Sequence, residues 1–220
     1  MTELEAAWLD YSWEVITSDH VETCVRSGGI GIDNQKLRWP GYMGDGYTEG
    51  GLLFVGNIHR DFDSGKVKSG LAEKLSNGSI AWVNKGRSEE SDNSYMQNNR
   101  SCYLEGFAGW RIGAFFKKLL TQVDMEWNEV AYTNGAKCQS LNGSEQKLQM
   151  LCQQAFPVKN LIRFLKPSVI VTCSQPIRDQ LGGNADVFWF NSRNGLNEKR
   201  ESFDVWAPRV VDLFNKERLF

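Results

Sequence analysis

Apolar residues along the chain fall either into short continuous runs or into positions three to four residues apart. The runs at 51–56, 128–133, 166–174 and 187–190 predict four buried strands. Helical spacing predicts helices at about 3–26, 106–123, 144–165, 175–182 and 202–219, with Pro157 kinking or breaking the third. Buried strands that alternate with helices are typical of the α/β class. We therefore expect a three-layer α/β/α sandwich with a central four-stranded parallel sheet.

Two stretches do not fit this alternation. Residues 27–50 are rich in glycine, which predicts a long loop, and residues 76–101 are polar, with one possible strand at 79–83. At 220 residues the chain has the usual length of a single domain, which we place at 1–220.

Composition narrows the functional classes only slightly. The formal net charge is −2, so no global basic field points to nucleic acid, although a local basic patch is enough to hold phosphates. The acidic, amphipathic N-terminus is not typical of a signal peptide, and no apolar run approaches the ~20 residues of a membrane span. We expect a cytoplasmic protein with no membrane partner. Five cysteines without a CxxC pattern are consistent with reduced thiols.

The carboxyl ends of the predicted strands are the places to search for a site, because open parallel sheets bind ligands there. These ends are followed by several amides, one histidine, one carboxylate and a few basic groups, at 56–61, 133–138, 172–176 and 190–197, and a second carboxylate, Asp63, comes two residues after the first range. The usual glycine-rich nucleotide loops, the GxSxG elbow and the HExxH zinc motif are absent from the sequence. A carboxamide offers a donor and an acceptor together, which suits the edge of a nucleobase. Asn134 is equally consistent with a turn before Gly135, and Asn191 with a strand-ending cap.

Five segments, in this order, resemble the uracil-DNA glycosylase superfamily, and most closely its bacterial families 4 and 5. They are LLFVG at 52–56, LEGFAGWRIGAFFKKLL at 104–120, EVAYTNGAKCQS at 129–140, MLCQQAFPVKNLIRFLKPSVIVTC at 150–173 and NSRNGLNEKR at 191–200. The tail of the last segment is closer to the mismatch-specific branch. The resemblance covers roughly 50–60 and 102–215, so residues 61–101 look like an insertion.

The resemblance implies an enzyme that flips a base out of DNA and hydrolyses its N-glycosidic bond. Its catalytic group would be Asn57 as water positioner, His59, Asp61 or Asp63 as base, and Asn191 in place of the second-motif histidine. The implied base-binding residues are Asn134, which reads the base edge, Tyr103, which stacks on the base, and the neighbouring Phe107 and Ile58. The implied contacts to the DNA backbone are Lys137, Ser174, Gln175, Ser192, Arg193 and Lys199. By default the basic residues near 193–200 belong to a solvated helix start.

The substrate implied is uracil or, because the first motif is altered and flanked by the insertion, a modified pyrimidine such as a phage-type hypermodified cytosine. Such an enzyme would act on DNA as a monomer, in base excision repair or in defence against phage. Families 4 and 5 carry a four-cysteine iron–sulfur cluster, and Cys24, Cys138 and Cys152 are one ligand short of it, so we expect no cofactor. Two alternatives stay open: a non-catalytic member that binds DNA or a modified base, and a hydrolase of free nucleosides or nucleotides.

Overall fold

The computed structural model of the chain describes residues 1–18, 29–30, 39–56, 70–137, 139–140, 145–172, 174–181, 187–189 and 203–217. The helices in these ranges are α1 (Glu3–Thr17), α2 (Leu71–Lys85), α3 (Glu89–Gly109), α4 (Arg111–Gln122), α5 (Glu145–Ala155), α6 (Val158–Leu165), α7 (Gln175–Leu181) and α8 (Phe203–Glu217). The strands are β1 (Gly29–Ile30), β2 (Tyr42–Met43), β3 (Leu52–Gly56), β4 (Val130–Asn134), β5 (Gln139–Ser140), β6 (Val169–Thr172) and β7 (Val187–Trp189). A short 3₁₀ turn at Trp127–Glu129 leads into β4. The chain is therefore of the α/β class.

The larger sheet has the strand order β2-β4-β3-β6-β7. Strands β4, β3, β6 and β7 pair in parallel, as predicted. The sheet is nevertheless mixed, because β2 adds a fifth strand that runs antiparallel to β4 at the edge. The expectation of a purely parallel four-stranded sheet was wrong on this point. A two-residue strand inside a glycine-rich stretch is too short to produce a periodic signal.

Alternate residues of the parallel strands face two hydrophobic clusters, one on each side of the sheet. The first face carries Phe54, Tyr132 and Val171, which pack with side chains from the C-terminal half of α3 and from α4 and α8. The second face carries Leu53, Ala131 and Ile170, which pack with α1, α6 and α7. This alternation follows from the two-residue period of a strand.

The polar stretch 76–101 is helical, so the strand expected at 79–83 was wrong. Helices α2 and α3 form an antiparallel pair that is connected by residues 86–88. The Trp82 ring stacks on Tyr95 at a centroid distance of 3.9 Å, and the buried carboxylate of Asp92 accepts hydrogen bonds from Trp82 Nε1 (2.7 Å) and Arg87 Nε (2.8 Å). These polar contacts take the place of apolar residues that would have marked the helices in the sequence.

Two helix boundaries differ from those predicted. Helix α1 ends at Thr17, and the region expected to extend it to 26 lies largely outside the described residues. The helix expected at 106–123 is divided at Trp110, whose backbone is extended, and Gly113 in α4 lies close to the end of α3. A Cβ on Gly113 would lie 2.0 Å from the carbonyl oxygen of Phe107. The break expected at Pro157 is confirmed, since α5 ends at Ala155 and α6 begins at Val158.

None of the helices in the described ranges has the length and apolar character that a membrane crossing requires.

Candidate functional site

The carboxyl ends of the three central strands meet at one edge of the sheet. In the strand register Gly56 is opposite Asn134, and Val55 is opposite Thr172. The pairing continues one step beyond the strands, because the Gly135 amide donates to the Gly56 carbonyl at 2.8 Å. Asn134 thus lies directly beside the last residue of β3, and only 1% of its surface is exposed.

The side chain of Asn134 is held by a tyrosine from its own strand. Tyr132 is two residues earlier, on the same face, and its hydroxyl donates to Asn134 Oδ1 at 2.8 Å. Gly56 makes this arrangement possible: a Cβ there would lie 2.2 Å from Asn134 Oδ1 and 2.7 Å from the Tyr132 hydroxyl. The amide therefore occupies the space that a side chain at position 56 would fill.

Tyr103 and Phe107, the predicted base-stacking residues, lie on the same face of the sheet as Asn134. The Tyr103 ring is 5.9 Å from the Tyr132 ring, and Phe107 meets Tyr132 edge-on at 5.2 Å while it stacks on Trp127 at 4.1 Å. Tyr103 is fully buried, and this burial raises the pKa of its hydroxyl well above the ordinary value. In this structure both rings pack against the Tyr132 ring, and direct stacking on a base remains a prediction.

Lys137 lies under the second face of the sheet, and its side chain is fully buried. Its Nζ donates to the Thr133 hydroxyl and to the Asn134 carbonyl oxygen, the latter at 2.7 Å, and it lies 5.8 Å from the centre of the Tyr11 ring. Burial lowers the pKa of Lys137 to about 7, and the neighbouring Cys152 opposes this shift.

The loop that carries Lys137 is fixed from two sides, which explains the burial. The Lys137 carbonyl accepts from the Trp39 amide at 2.9 Å, and the Gly135 carbonyl accepts from Gln153 Nε2 at 2.8 Å. We expected Lys137 to contact DNA phosphates, but in this arrangement it presents no charge at the surface.

Ser174 and Cys152, two further predicted residues, are also buried. The Ser174 hydroxyl donates to Gln149 Oε1 at 2.6 Å and accepts from the Ile177 amide at 3.3 Å, so it caps α7 and holds it to α5. Gln175 begins α7. Ser174 thus acts inside the protein in this structure, and a backbone contact with DNA would require it to become accessible.

Eleven of the predicted site residues lie outside the described residues: Asn57, Ile58, His59, Asp61, Asp63, Asn191, Ser192, Arg193, Lys199, Cys24 and Cys138. Among the residues that are described, no group of three or more His, Cys, Asp or Glu side chains is placed to hold a metal ion.

Sequence reasoning overlooked the part played by Tyr132. The signal was present in the strand VAYTN, because a period of two places Tyr132 and Asn134 on one face and Thr133 on the other. It also overlooked Gln153, whose amide bridges the Gly135 carbonyl and the Val158 amide at the start of α6. Long-range bonds of this kind leave no periodic trace.

No protein-family model matches the chain, and no curated protein matches it either.

Proposed function

We propose that the chain is a DNA glycosylase that flips a pyrimidine out of DNA and hydrolyses its N-glycosidic bond, leaving an abasic site. The observation that supports the proposal is the Asn134 amide, buried at the carboxyl end of a central parallel strand and oriented by Tyr132. Ligands of open α/β sheets bind at such strand ends. A buried carboxamide whose donor and acceptor have fixed positions matches the hydrogen-bonding edge of a pyrimidine.

The proposed chemistry has two sides. As the glycosidic bond breaks, the electron pair goes to the leaving base, and hydrogen bonds from a preorganised amide stabilise the charge that develops there. On the sugar side, Asn57 would position a water molecule, and His59 or Asp61 would take its proton as the water attacks the oxocarbenium-like carbon. Asn191 would donate to a base oxygen. Residues 57–61 follow Gly56 directly in the sequence, which is consistent with this division of roles.

The substrate we propose is uracil or a modified pyrimidine such as a hypermodified cytosine, in DNA bound by a monomer without a cofactor. Helices that pack against both faces of strands β3, β4 and β6 support the three-layer α/β/α sandwich as the architecture. We include a modified base because the first motif is altered. Asn57 and Ile58 stand where the superfamily that the sequence resembles has other residues.

Base release from duplex oligonucleotides tests the proposal. The panel carries uracil, 5-hydroxymethylcytosine, glucosylated 5-hydroxymethylcytosine or unmodified cytosine, and the readouts are the free base by mass spectrometry and alkali-labile strand breaks. We expect wild type to release one of these bases. Asn134→Ala should lower the rate by about a hundredfold or more, the usual effect of removing one preorganised donor. Exposed Asn93 on α3 offers a matched control, Asn93→Ala, that should leave the rate unchanged.

The other outcomes separate the alternatives. Tight binding of a modified duplex without base release would contradict the glycosylase and favour a reader of modified DNA. Release of base from free nucleosides but not from DNA would favour a nucleoside hydrolase. Three variants then distinguish the residue that positions the water from the residue that acts as general base: Asn57→Ala, His59→Ala and Asp61→Ala. Only loss of the general base should shift the pH profile of the rate.

A further inference from the structure

We infer that Tyr132 is a specificity-determining positioning residue, which fixes the orientation of the Asn134 amide and so selects between a uracil-type and a cytosine-type base edge. This inference rests on the proposed function, since it concerns the same base-binding amide. Tyr132 acts through Asn134 and need not touch the substrate.

The geometry around the amide limits it to one orientation. Tyr132 and Asn134 are 3% and 1% exposed, and the hydroxyl–Oδ1 distance of 2.8 Å is that of a well-formed hydrogen bond. Exchanging Oδ1 and Nδ2 requires a half-turn of the amide, which breaks this bond. A phenol hydroxyl donates more strongly than it accepts, because its ring draws on the oxygen lone pair. The orientation with Oδ1 toward Tyr132 is therefore favoured over its reverse.

Backbone packing supports this restriction. Gly56 is the neighbour of Asn134 across β3 and β4, and its α-carbon borders the amide so closely that even a Cβ would overlap with Oδ1. From below, Lys137 Nζ donates to the Asn134 carbonyl oxygen and fixes the peptide from which the side chain projects. Asn134 is thus constrained at its side-chain oxygen Oδ1 by Tyr132 and at its backbone carbonyl oxygen by Lys137.

A fixed amide distinguishes two kinds of pyrimidine. Uracil and its 5-substituted forms present an N3–H donor beside the O4 acceptor, whereas cytosine and its 5-substituted forms present an N3 acceptor beside the N4 donor. The Asn134 amide can match either edge only by placing Oδ1 opposite the donor and Nδ2 opposite the acceptor. If stacking holds the pyrimidine ring in one position, a single amide orientation suits one class and leaves unpaired polar groups against the other.

Tyr132→Phe is the direct test, because it keeps the ring that packs on Phe107 and removes only the hydroxyl. The ratio of kcat/KM between oligonucleotides with the favoured and disfavoured edge should fall by about threefold to tenfold, the worth of one net hydrogen bond. Tyr42→Phe is the matched control: its hydroxyl is also part of the first-face cluster but donates to the Trp127 carbonyl at 2.9 Å. Its ratio should equal that of wild type. A ratio unchanged in Tyr132→Phe would overturn the inference.

A second measurement separates this inference from the proposed function. The side-chain amide resonances of Asn134, assigned by NMR without substrate, should move in Tyr132→Phe and stay in place in Tyr42→Phe. Unmoved resonances would refute the positioning role whether or not the protein is an enzyme. If wild type releases no base, the proposed function fails, and the ratio of dissociation constants for free uracil and free cytosine takes the place of kcat/KM. A ratio that does not change, or binding of neither base, would then count against the inference.

Discussion

Replacing Gly56 by alanine should displace the Asn134 amide and thereby impair both stability and the proposed activity. The new Cβ would lie 2.2 Å from Asn134 Oδ1 and 2.7 Å from the Tyr132 hydroxyl. Non-bonded heavy atoms in proteins approach to about 3.5 Å, so the amide must retreat by roughly 1 Å. Gly56 does not have a positive φ, so the effect comes from contacts and not from backbone strain.

The magnitude follows from two contributions. Overpacking of a close-packed interior costs about 1–3 kcal/mol. Separating Tyr132 from Asn134 leaves buried polar groups without this bond, which costs a further ~1–3 kcal/mol. We therefore expect Gly56→Ala to lower the free energy of unfolding by about 2–6 kcal/mol. A displacement of about 1 Å in a positioning group can lower a catalytic rate by a hundredfold, so base release should fall by a similar factor.

Urea denaturation and base release check the two expectations, and a double-mutant cycle tests their cause. Asn134→Ala removes the nearest atom that clashes with the new Cβ. The double variant Gly56→Ala/Asn134→Ala should accordingly be more stable than the sum of the two single losses predicts, by about 1 kcal/mol or more. Relief should be incomplete, because the Tyr132 hydroxyl remains close. Additive losses within about 0.5 kcal/mol, or a Gly56→Ala protein as stable and active as wild type, would refute the steric account.

Two further predictions concern stability. Asp92→Ala should lower the unfolding free energy by about 1–3 kcal/mol, because it leaves the buried Trp82 Nε1 without its acceptor and removes one of the two carboxylates that contact Arg87, the other being Asp10. Glu89→Ala on the exposed side of α3 should change little, and the urea midpoints of the two variants decide this. Stability should also fall steeply above pH 10. Burial raises the pKa of several tyrosines above their value of about 10 in the unfolded chain. Above this pH the unfolded chain releases protons that the folded chain keeps, which favours unfolding. The tyrosines concerned are Tyr11, Tyr42, Tyr47, Tyr95 and Tyr103. Ultraviolet titration of tyrosinate during alkaline unfolding measures it, and tyrosines that ionise near pH 10 while the protein stays folded would contradict it.

Strands β3, β4 and β6 could be predicted from the sequence because each is buried along its whole length and is therefore rich in apolar residues. Strands β3, β6 and β7 lie within the predicted runs, and β4 extends one residue beyond its run, to Asn134. Helix α3 could not be predicted in the same way. Its inward positions include Ser91, Asp92 and Asn99, polar residues that are buried within the protein. Hydrogen bonds such as those that Asp92 accepts from Trp82 and Arg87 allow polar side chains to be buried. The local sequence pattern does not reveal these bonds.

Only part of the candidate site could likewise be predicted from the sequence. A strand end followed by Asn134 and Gly135 is visible in the sequence, so the base-reading position could be predicted. The burial of Lys137 could not, because an isolated lysine in a polar loop is usually exposed. Its enclosure depends on Trp39 and Gln153, which are distant along the chain and fold over the loop after β4.

The strand VAYTN places the Tyr132–Asn134 pair on one face of the sheet and the Thr133–Lys137 pair on the other. Asn134 connects the two pairs. Tyr132 and Asn134 point to the first face, Thr133 points to the second, and Lys137 returns beneath it to bond both the Thr133 hydroxyl and the Asn134 carbonyl. Asn134 is therefore held through its side chain by Tyr132 from one face and through its backbone by Lys137 from the other. A group that must recognise a base edge needs that rigidity, because its selectivity depends on an orientation that thermal motion would otherwise average. On this argument a buried lysine contributes to base recognition without contacting DNA, by fixing the peptide that carries the recognising amide.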